Sequence, residues 1–293
     1  MIRILKKSEW FSDESFPLRV QRREPIGPIG VHAHEFSEIV LVTSGSGIHL
    51  VGDEQWPLSA GDTYVINVEE PHGYRDLDDL CLINIMFDTR DINLRLFDLT
   101  SLTGYHTLFT LEPAWRHRHQ FRSRLHLNPR DLAEAVALVD RLDQELIDLR
   151  SGYRFFAVSW FMQLIGHLSR CYEGTKNPDS KSLLRIAEAI VHIEQNYTQQ
   201  LGLEELAEIA EMPKRSFLRD FKNAMGTSPI SYLIQFRIRR AAELLRSTNR
   251  TVTQISYDVG FEDSNYFARQ FRKQQGVSPR EYRQLATSFT IRR

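Results

Sequence analysis

Two stretches near the carboxyl end of the chain repeat each other and decide the fold of that half: residues 217–232 read FLRDFKNAMGTSPISY and residues 267–282 read FARQFRKQQGVSPREY. Besides Arg219, which recurs as Arg269, six positions are identical in one register, at a constant offset of 50 residues. They are Phe217, Phe221, Gly226, Ser228, Pro229 and Tyr232, which recur as Phe267, Phe271, Gly276, Ser278, Pro279 and Tyr282. A repeat of this length indicates that one supersecondary unit occurs twice.

Each copy is typical of a helix-turn-helix, because a short amphipathic helix precedes each repeated segment. In the first copy, the spacing i, i+3, i+4, i+7 places four apolar residues on one helix face, namely Leu203, Leu206, Ala207 and Ala210. The second helix of this copy is predicted to bury Phe217, Phe221 and Met225 and to end at Gly226. The second copy repeats the pattern with Val252, Ile255, Ser256 and Val259, then Gly260, Phe267 and Phe271.

The second helix of each copy leaves polar and basic residues on its outer side. These are Lys214, Arg215, Leu218, Arg219 and Lys222 in the first copy, and Asn265, Arg269, Arg272 and Lys273 in the second. Arginine pairs with guanine and asparagine with adenine in the DNA major groove. A helix predicted from Pro229 to Arg246, roughly 27 Å long at 1.5 Å per residue, would separate the two units by about one DNA turn.

The same residues resemble the signature of AraC/XylS-type transcriptional regulators. The matching segments are Ile255-Ser256-Tyr257-Asp258-Val259-Gly260-Phe261, Asn265-Tyr266-Phe267, Phe271-Arg272-Lys273 and Gly276-Val277-Ser278-Pro279-Arg280-Glu281-Tyr282. The resemblance, which covers about the last hundred residues, implies that bases are read by Arg215, Leu218 and Arg219 in the first unit and by Asn265, Tyr266 and Arg269 in the second. Lys214, Lys222, Arg272 and Lys273 are expected to hold phosphates, which position a protein on DNA without reading its sequence. The alternative is an ordinary solvated helix face.

Charge is distributed unevenly along the chain, whose formal net charge is −1. Residues 183–293 carry 17 Lys and Arg against 12 Asp and Glu, a net charge of +5, whereas residues 1–182 carry 20 against 26, a net charge of −6. A basic module next to an acidic one fits phosphate binding by one half only. Cys81 and Cys171 lie in apolar runs, which favours reduced core thiols in a cytoplasmic protein. The amino terminus shows no signal peptide, and we predict no membrane span.

Residues 1 to about 90 show the pattern of short strands separated by glycine turns, which is typical of a β-barrel or sandwich. The prediction includes a strand at 38–42, a turn at Ser44–Gly47 and a returning strand at 48–51. Two motifs in this region resemble those of the cupin barrel. The first contains His32, His34, Glu38 and Gly45, and the second contains Gly61 and His72. In cupin enzymes the positions of His32, His34, Glu38 and His72 hold a metal, and three imidazoles with a carboxylate suit Fe, Mn or Zn.

For these four residues we predict a ligand pocket without a metal; a metal site and a purely structural role are the alternatives. His32 is the one expected to face a ligand. Basic residues cluster at Arg116–His119, Arg122 and Arg124. We expect this segment to be a solvated loop; the alternative is that it contacts DNA or an anionic ligand. Apolar residues at three- and four-residue steps predict a helix from 128 to 149 and a second from about 153 to 172. This helical hairpin is predicted to cover the barrel and to form a homodimer; packing within one chain is the alternative.

The predicted fold class is α+β: an N-terminal cupin-like β-barrel with a helical hairpin, then an all-α domain of two helix-turn-helix units joined by a linker helix. Residues 1–173 form the ligand-sensing and dimerisation domain, 174–182 the linker and 183–293 the DNA-binding domain. The expected function is sequence-specific regulation of transcription at promoter DNA, with no catalytic residue and no cofactor.

The segments 34–38, 80–84 and 263–267 are similar to rhamnose-responsive activators. This resemblance implies a sugar effector, such as L-rhamnose, and activation through RNA polymerase. Two alternatives are a metal-dependent cupin enzyme fused to a DNA-binding domain and a ligand-independent regulator whose barrel only dimerises.

Overall fold

The computed structural model describes residues 2–24, 27, 29–52, 54–88, 98–116 and 125–290. These residues form two compact units, Met1–Ala187 and Glu188–Arg293. The first unit contains a sheet and a helical hairpin, and the second is helical. Most of the basic segment 116–124 lies outside the described residues.

The first unit is built on an eight-stranded sheet. Its strands are β1 (Arg3–Leu5), β2 (Leu18–Arg23), β3 (Ile29–His34), β4 (Ser37–Val51), β5 (Glu54–Ser59), β6 (Asp62–Ile66), β7 (His72–Phe87) and β8 (Leu125–His126). The order across the sheet is β1-β3-β7-β4-β6-β8, with β2 also paired to β7 and β5 to β4. Only the β1–β3 pair is parallel among these pairs. The short helix α1 (Lys7–Trp10) follows β1.

The predicted turn at Ser44–Gly47 is wrong, because β4 continues through it as one strand of 15 residues. β4 pairs along its length with β7, and the register shifts between Val42 and Ile48 mark bulges. Gly45 has φ +73°, and a Cβ there would lie 2.1 Å from the carbonyl oxygen of Asp79. Glycine is therefore required for close approach of two backbones at a bulge rather than for chain reversal.

Helices cover one face of this sheet. The described helical segments after β7 are a 3-10 helix (Asp98–Ser101), α2 (Thr103–His106), a π-helical stretch (Thr107–Leu111), α3 (Glu112–Arg116), α4 (Pro129–Asp148) and α5 (Tyr153–Glu173). The Asn128 side chain caps α4. The core between hairpin and sheet joins Ile39, Leu41, Ile83, Ile85 and Phe87 with Val139, Leu142, Phe161, Leu164 and Leu168. The predicted hairpin is thus present, and its apolar stripe faces the sheet.

The expectation of two core thiols is wrong, because Cys81 and Cys171 are both only partly buried. On β7, Cys81 alternates with the buried residues Leu80 and Leu82, so its side chain points to the opposite face of the strand. Among the described helices, none is both long and apolar enough to cross a membrane.

The helix α6 (Pro178–Gln195) contains the boundary between the two units. It begins inside the segment 174–182, so part of the expected linker is helical. The second unit continues with α7 (Leu203–Ile209), α8 (Lys214–Met225), α9 (Pro229–Ser247), α10 (Val252–Asp258), α11 (Ser264–Gln275) and α12 (Pro279–Thr290). The pairs α7–α8 and α10–α11 are the two predicted helix-turn-helix units, and α9 is the predicted joining helix. The domain bounds at 173 and 183 stay a prediction.

The sequence repeat is also a repeat of core contacts. The Phe221 ring lies 6.0 Å from the Tyr232 ring in the first copy, and the Phe271 ring lies 5.4 Å from Tyr282 in the second. Gly226 and Gly276 end α8 and α11 in the left-handed region, with φ +69° and +78°. Met225, expected in the core, is only partly buried; Ala224 is buried instead.

Candidate functional site

The outer face of α8 carries the first set of predicted DNA contacts. Arg215, Leu218, Arg219 and Lys222 follow the i, i+3, i+4, i+7 spacing, so they form one stripe opposite the buried Phe217 and Phe221. Arg215, Arg219 and Lys222 are exposed, and Leu218 is half-buried. Pro213 precedes the helix without a side-chain cap.

Two cations of the first helix-turn-helix unit are paired with carboxylates. Lys214 forms an exposed ion pair with Glu204. The Arg219 guanidinium donates from Nε and Nη2 to the two carboxylate oxygens of Asp220, at 2.7 and 3.2 Å. This hydrogen bonding raises the pKa of Arg219, which therefore stays charged. Exposed pairs of this kind contribute little to stability, so phosphates or bases can replace the carboxylates.

The second set lies on α11. Its members are all exposed: Asn265, Tyr266, Arg269, Arg272 and Lys273. The Asp263 carboxylate accepts a hydrogen bond of 2.7 Å from the backbone N–H of Asn265 and caps the helix. The Arg269 guanidinium lies 5.8 Å from the centre of the Tyr266 ring. Each helix-turn-helix unit therefore presents an exposed cationic stripe on its second helix, the element that enters the major groove in this motif.

The compact unit Met1–Ala187 contains a buried polar cluster at the predicted pocket. His34, Glu38 and His72 are 1–4% exposed, and one ligand atom from each lies within 4.8 Å of the other two. The Oε2 atom of Glu38 is 3.3 Å from His34 Nε2 and 3.8 Å from His72 Nε2. His32 lies beside this cluster: its ring centre is 4.3 Å from that of His72, and its Nδ1 contacts the carbonyl oxygen of Gly30 at 3.0 Å.

Burial dominates the ionisation of the pocket histidines. Burial lowers the pKa of His72 to about 4, against the attraction of Glu38, and it lowers the pKa of His32 as well. Burial alone would raise the pKa of Glu38, but the hydrogen bond and charge of His34 outweigh it, so that the pKa of Glu38 is lowered. At neutral pH the cluster thus contains an ionised carboxylate beside a neutral His72 ring.

The histidine tautomers show that the cluster suits a cation. His34 Nδ1 donates to the carbonyl oxygen of Phe36 at 2.5 Å, and His72 Nδ1 donates to that of Glu70 at 3.0 Å. A neutral His72 ring that donates from Nδ1 carries a lone pair on Nε2, and this atom and His34 Nε2 both face Glu38. A metal bound by two imidazoles and a carboxylate, with the outer nitrogens bonded to carbonyls, fits this arrangement. Such an ion would act there as a Lewis acid.

The cavity at this cluster is small, about 20 Å³, which is room for about one water molecule. It is lined by Leu5, Trp10, Gln21, Arg23, Ile29, His32, His34, Phe36, Glu38, His72, Tyr74, Asn84 and Met86. Among the described residues, the buried atoms Arg23 Nε and Asn84 Oδ1 have no hydrogen-bond partner.

Gln21, Arg23 and Asn84 also line the pocket, although they were not predicted from the sequence. Asn84 could have been found from the sequence, because it is a polar residue within the apolar segment 80–87. A buried amide at such a position needs a hydrogen-bond partner. Gln21 is the cross-strand partner of Asn84 in the β2–β7 register.

Comparison with known proteins places both units in described families. The AraC-like ligand binding domain matches residues 28–165, and a helix-turn-helix domain matches residues 206–285. The HTH-type transcriptional activator RhaS of Enterobacter sp. (strain 638) is 29% identical over 283 residues, covering 96% of this chain and 97% of that protein. The activator RhaR of the same organism is 27% identical over 281 residues, with 96% of each covered.

Among solved structures, the DNA-binding domain of AdpA in complex with a target DNA is 30% identical. It covers 37% of this chain and 96% of that chain, with a TM-score of 0.34. The two family matches lie in the order that the resemblance implied, and together with the nearly full-length relatives they confirm that order and the α+β fold class. The chain belongs to the AraC family of DNA-binding transcriptional regulators, with its ligand-binding domain followed by its helix-turn-helix domain.

Proposed function

We propose that this protein is a sugar-responsive transcriptional activator that works in the cytoplasm and is not an enzyme. The observation that carries the proposal is that one chain joins a buried polar pocket to two helix-turn-helix units with cationic outer faces. Relatives along nearly the whole chain are named transcriptional activators, which supports the sign of regulation. Activation implies contact with RNA polymerase as a partner at the promoter.

A sugar is the effector that suits the chemistry of the pocket. Hydroxyl groups both donate and accept hydrogen bonds, so they can pair with acceptors such as Glu38 Oε2 and Asn84 Oδ1 and with the donor Arg23 Nε. Buried polar groups without partners are rare in proteins, and a polyhydroxyl ligand would satisfy those present here. The resemblance to rhamnose-responsive activators makes L-rhamnose the first compound to test.

Sugar binding requires the pocket to open, because cavities that bind small molecules have volumes of about 300 Å³ or more. The present cavity is about 20 Å³, and Leu5 and Trp10 of the amino-terminal segment lie in its wall. We therefore propose two states of the sensor, closed and open, of which the sugar binds only the open one. A ligand shifts such an equilibrium by its difference in affinity for the two states.

On the DNA side, we propose the division of roles expected from the sequence. Arg215, Leu218 and Arg219 read bases in one major groove, and Asn265, Tyr266 and Arg269 read bases in the next. Four lysine and arginine residues hold phosphates: Lys214, Lys222, Arg272 and Lys273. The exposure of the polar members of both sets supports this assignment.

We also propose a homodimer that forms through the tip of the α4–α5 hairpin. Four large apolar residues are exposed there: Ile147 (68%), Leu149 (60%), Phe155 (72%) and Phe156 (47%). Exposed apolar residues clustered in this way are typical of protein–protein contacts. Leu149, expected on the apolar stripe of the first helix, follows the end of α4 in a left-handed conformation, so it projects into solvent with this cluster.

Calorimetric titration of the full-length protein with L-rhamnose, L-fucose, L-arabinose and D-glucose tests the sensor. We expect saturable binding of one sugar, loss of that binding in Glu38→Gln and His72→Asn, and normal binding in His126→Asn, where an exposed histidine outside the pocket is changed. Heat changes no larger than dilution for every sugar would contradict the proposed effector class and leave DNA binding in place.

A metal-dependent sensor or enzyme is the second candidate, because the Nε2 atoms of His34 and His72 both face the Glu38 carboxylate. Elemental analysis of protein purified without chelator tests it. Less than about 0.1 metal ion per chain, with no gain on adding Fe²⁺, Mn²⁺ or Zn²⁺, would remove this candidate.

A further inference from the structure

The α4–α5 hairpin brings together an aspartate, a histidine and a cysteine that neither site above uses. Asp131 lies in the first turn of α4, and His167 and Cys171 lie one turn apart on α5. Residues four positions apart share a helix face, so the imidazole and the thiol point the same way. One ligand atom from each of the three residues lies within 4.8 Å of the other two, and all three residues are only partly buried. The cluster is therefore preformed and open to an ion from solvent.

The distance between the sulfur and the imidazole in the cluster is close to that in a tetrahedral zinc site. The distance from Cys171 Sγ to His167 Nε2 is 3.7 Å. With Zn–S bonds of about 2.3 Å and Zn–N bonds of about 2.0 Å, tetrahedral geometry places the two ligand atoms about 3.5 Å apart. Only a small movement is needed for the two atoms to share an ion. A carboxylate oxygen of Asp131 can supply the third ligand and a water molecule the fourth.

In the absence of metal, protons occupy the places that an ion would take. His167 Nε2 donates to the backbone carbonyl oxygen of Asp131 at 2.9 Å. Burial, followed by the charge and hydrogen bond of the Asp131 carboxylate, raises the pKa of Cys171 to about 11, so the sulfur keeps its proton. Zinc binding would release the thiol proton to solvent, so that the sulfur binds as thiolate, and would move the ring proton from Nε2 to Nδ1. The thiolate and the Asp131 carboxylate then balance the two positive charges of the ion.

The Asp131 carboxylate is held in place by the cap of α4. Asn128 Nδ2 donates to Asp131 Oδ2 at 2.6 Å, while Asn128 Oδ1 accepts from the backbone N–H groups of Arg130 and Asp131, each at 3.0 Å. Outer hydrogen bonds of this kind orient metal ligands and raise affinity. One carboxylate oxygen of Asp131 is thus fixed by the cap, and the other is available for an ion.

We propose that Asp131, His167 and Cys171 form a zinc-binding site that ties the first turn of α4 to the last turns of α5. The site is independent of the sugar pocket and of the DNA-binding helices. Because a ligand bound only by the native state stabilises it, zinc adds to the stability of the hairpin.

Cobalt titration of chelator-stripped, full-length protein tests the proposal, because thiolate bound to Co²⁺ gives a near-ultraviolet charge-transfer band that histidine and carboxylate ligands do not give. We expect one equivalent of Co²⁺ to produce the band and one equivalent of Zn²⁺ to remove it. The band should vanish in Cys171→Ser, weaken in His167→Gln and Asp131→Asn, and persist in Cys81→Ser and His72→Asn. Circular dichroism checks that each variant is folded.

A second readout is stability. Zn²⁺ should raise the midpoint of thermal unfolding of Cys81→Ser by several degrees and leave that of Cys171→Ser unchanged. Absence of the band in the folded wild-type protein, or its persistence in Cys171→Ser, would overturn the proposal.

Discussion

The Arg219 guanidinium holds the two carboxylate oxygens of its helix neighbour Asp220 at 2.7 and 3.2 Å. This fork is the geometry with which arginine binds the O6 and N7 acceptors of guanine. Because the Arg219 side chain is 68% exposed, exchanging the carboxylate for a base costs little. The pair therefore holds the guanidinium in the forked geometry that the proposed base contact needs.

Arg219→Ala should weaken binding to the specific operator by about 1–3 kcal/mol and relax the preference at one base pair. Lys222→Ala, on the same stripe, is the matched control: it should weaken binding to all sequences alike and reduce the salt dependence. Competition titrations against an operator library at fixed salt measure both effects. Equal losses for Arg219→Ala on operator and random DNA would show that Arg219 holds a phosphate instead.

Gly260 separates the two helices of the second helix-turn-helix unit and should not tolerate a side chain. Its φ is +89°, and a Cβ would lie 2.7 Å from the carbonyl oxygen of Thr198. Gly260→Ala should therefore destabilise the DNA-binding unit by about 3 kcal/mol, from left-handed strain and backbone overlap together.

Gly226→Ala is the control for that substitution, since Gly226 has φ +69° but nothing within 4 Å of the position that a methyl group would take. It should cost only about 1–2 kcal/mol. Thermal unfolding of the full chain compares the two variants, and equal destabilisation would mean that the contact with Thr198 is unimportant.

Acid should destabilise the sensor through His72. The pKa of this ring is about 4 in the folded protein, whereas an unfolded histidine titrates near pH 6.5. The unfolded chain therefore takes up the proton first, and stability falls as the pH drops from 6.5 towards 4, by up to about 3 kcal/mol.

His72→Asn tests this, because the amide nitrogen of asparagine can replace Nδ1 as donor to the Glu70 carbonyl but does not titrate. In urea unfolding with chelator present, the free energy of unfolding of the wild type should fall more between pH 7 and pH 4.5 than that of the variant. Parallel pH profiles would contradict a neutral, buried His72.

Removing the exposed aromatic residues of the hairpin should dissociate the proposed dimer. Phe155→Ser with Phe156→Ser should raise the dimer dissociation constant at least tenfold without unfolding the protein, because both side chains are exposed. Val68→Ser, at an exposed apolar residue elsewhere in the sensor, should leave it unchanged. Sedimentation equilibrium makes the measurement, and a double variant as dimeric as the wild type would place the interface elsewhere.

Local patterns in the sequence predicted the helical half well. The repeat, the helix-face spacing and the glycines at 226, 260 and 276 are all local signals, and the helices begin and end close to the expected residues. The three convergent residues His34, Glu38 and His72 were also predicted, because the cupin motifs mark them.

Long-range pairing limited the prediction of the sensor. The turn expected at Ser44–Gly47 failed because the close approach of Gly45 to Asp79 depends on a partner strand more than 30 residues away. Asn84 was missed for the same reason, since its place in the pocket follows from the β2–β7 and β4–β7 registers. The Asp131–His167–Cys171 cluster depends on the packing of two helices and has no motif in the sequence.

Sugar-responsive recognition of a specific DNA sequence can be measured as binding of the purified full-length protein to DNA from its own upstream region and neighbouring promoters. The titration is run at one fixed salt concentration, with random DNA as competitor, and with and without each sugar of the panel. We expect one segment to be bound at least a thousandfold more tightly than random DNA, with an affinity that one sugar changes. Binding that never exceeds that to random DNA, at any sugar concentration, would contradict this expectation.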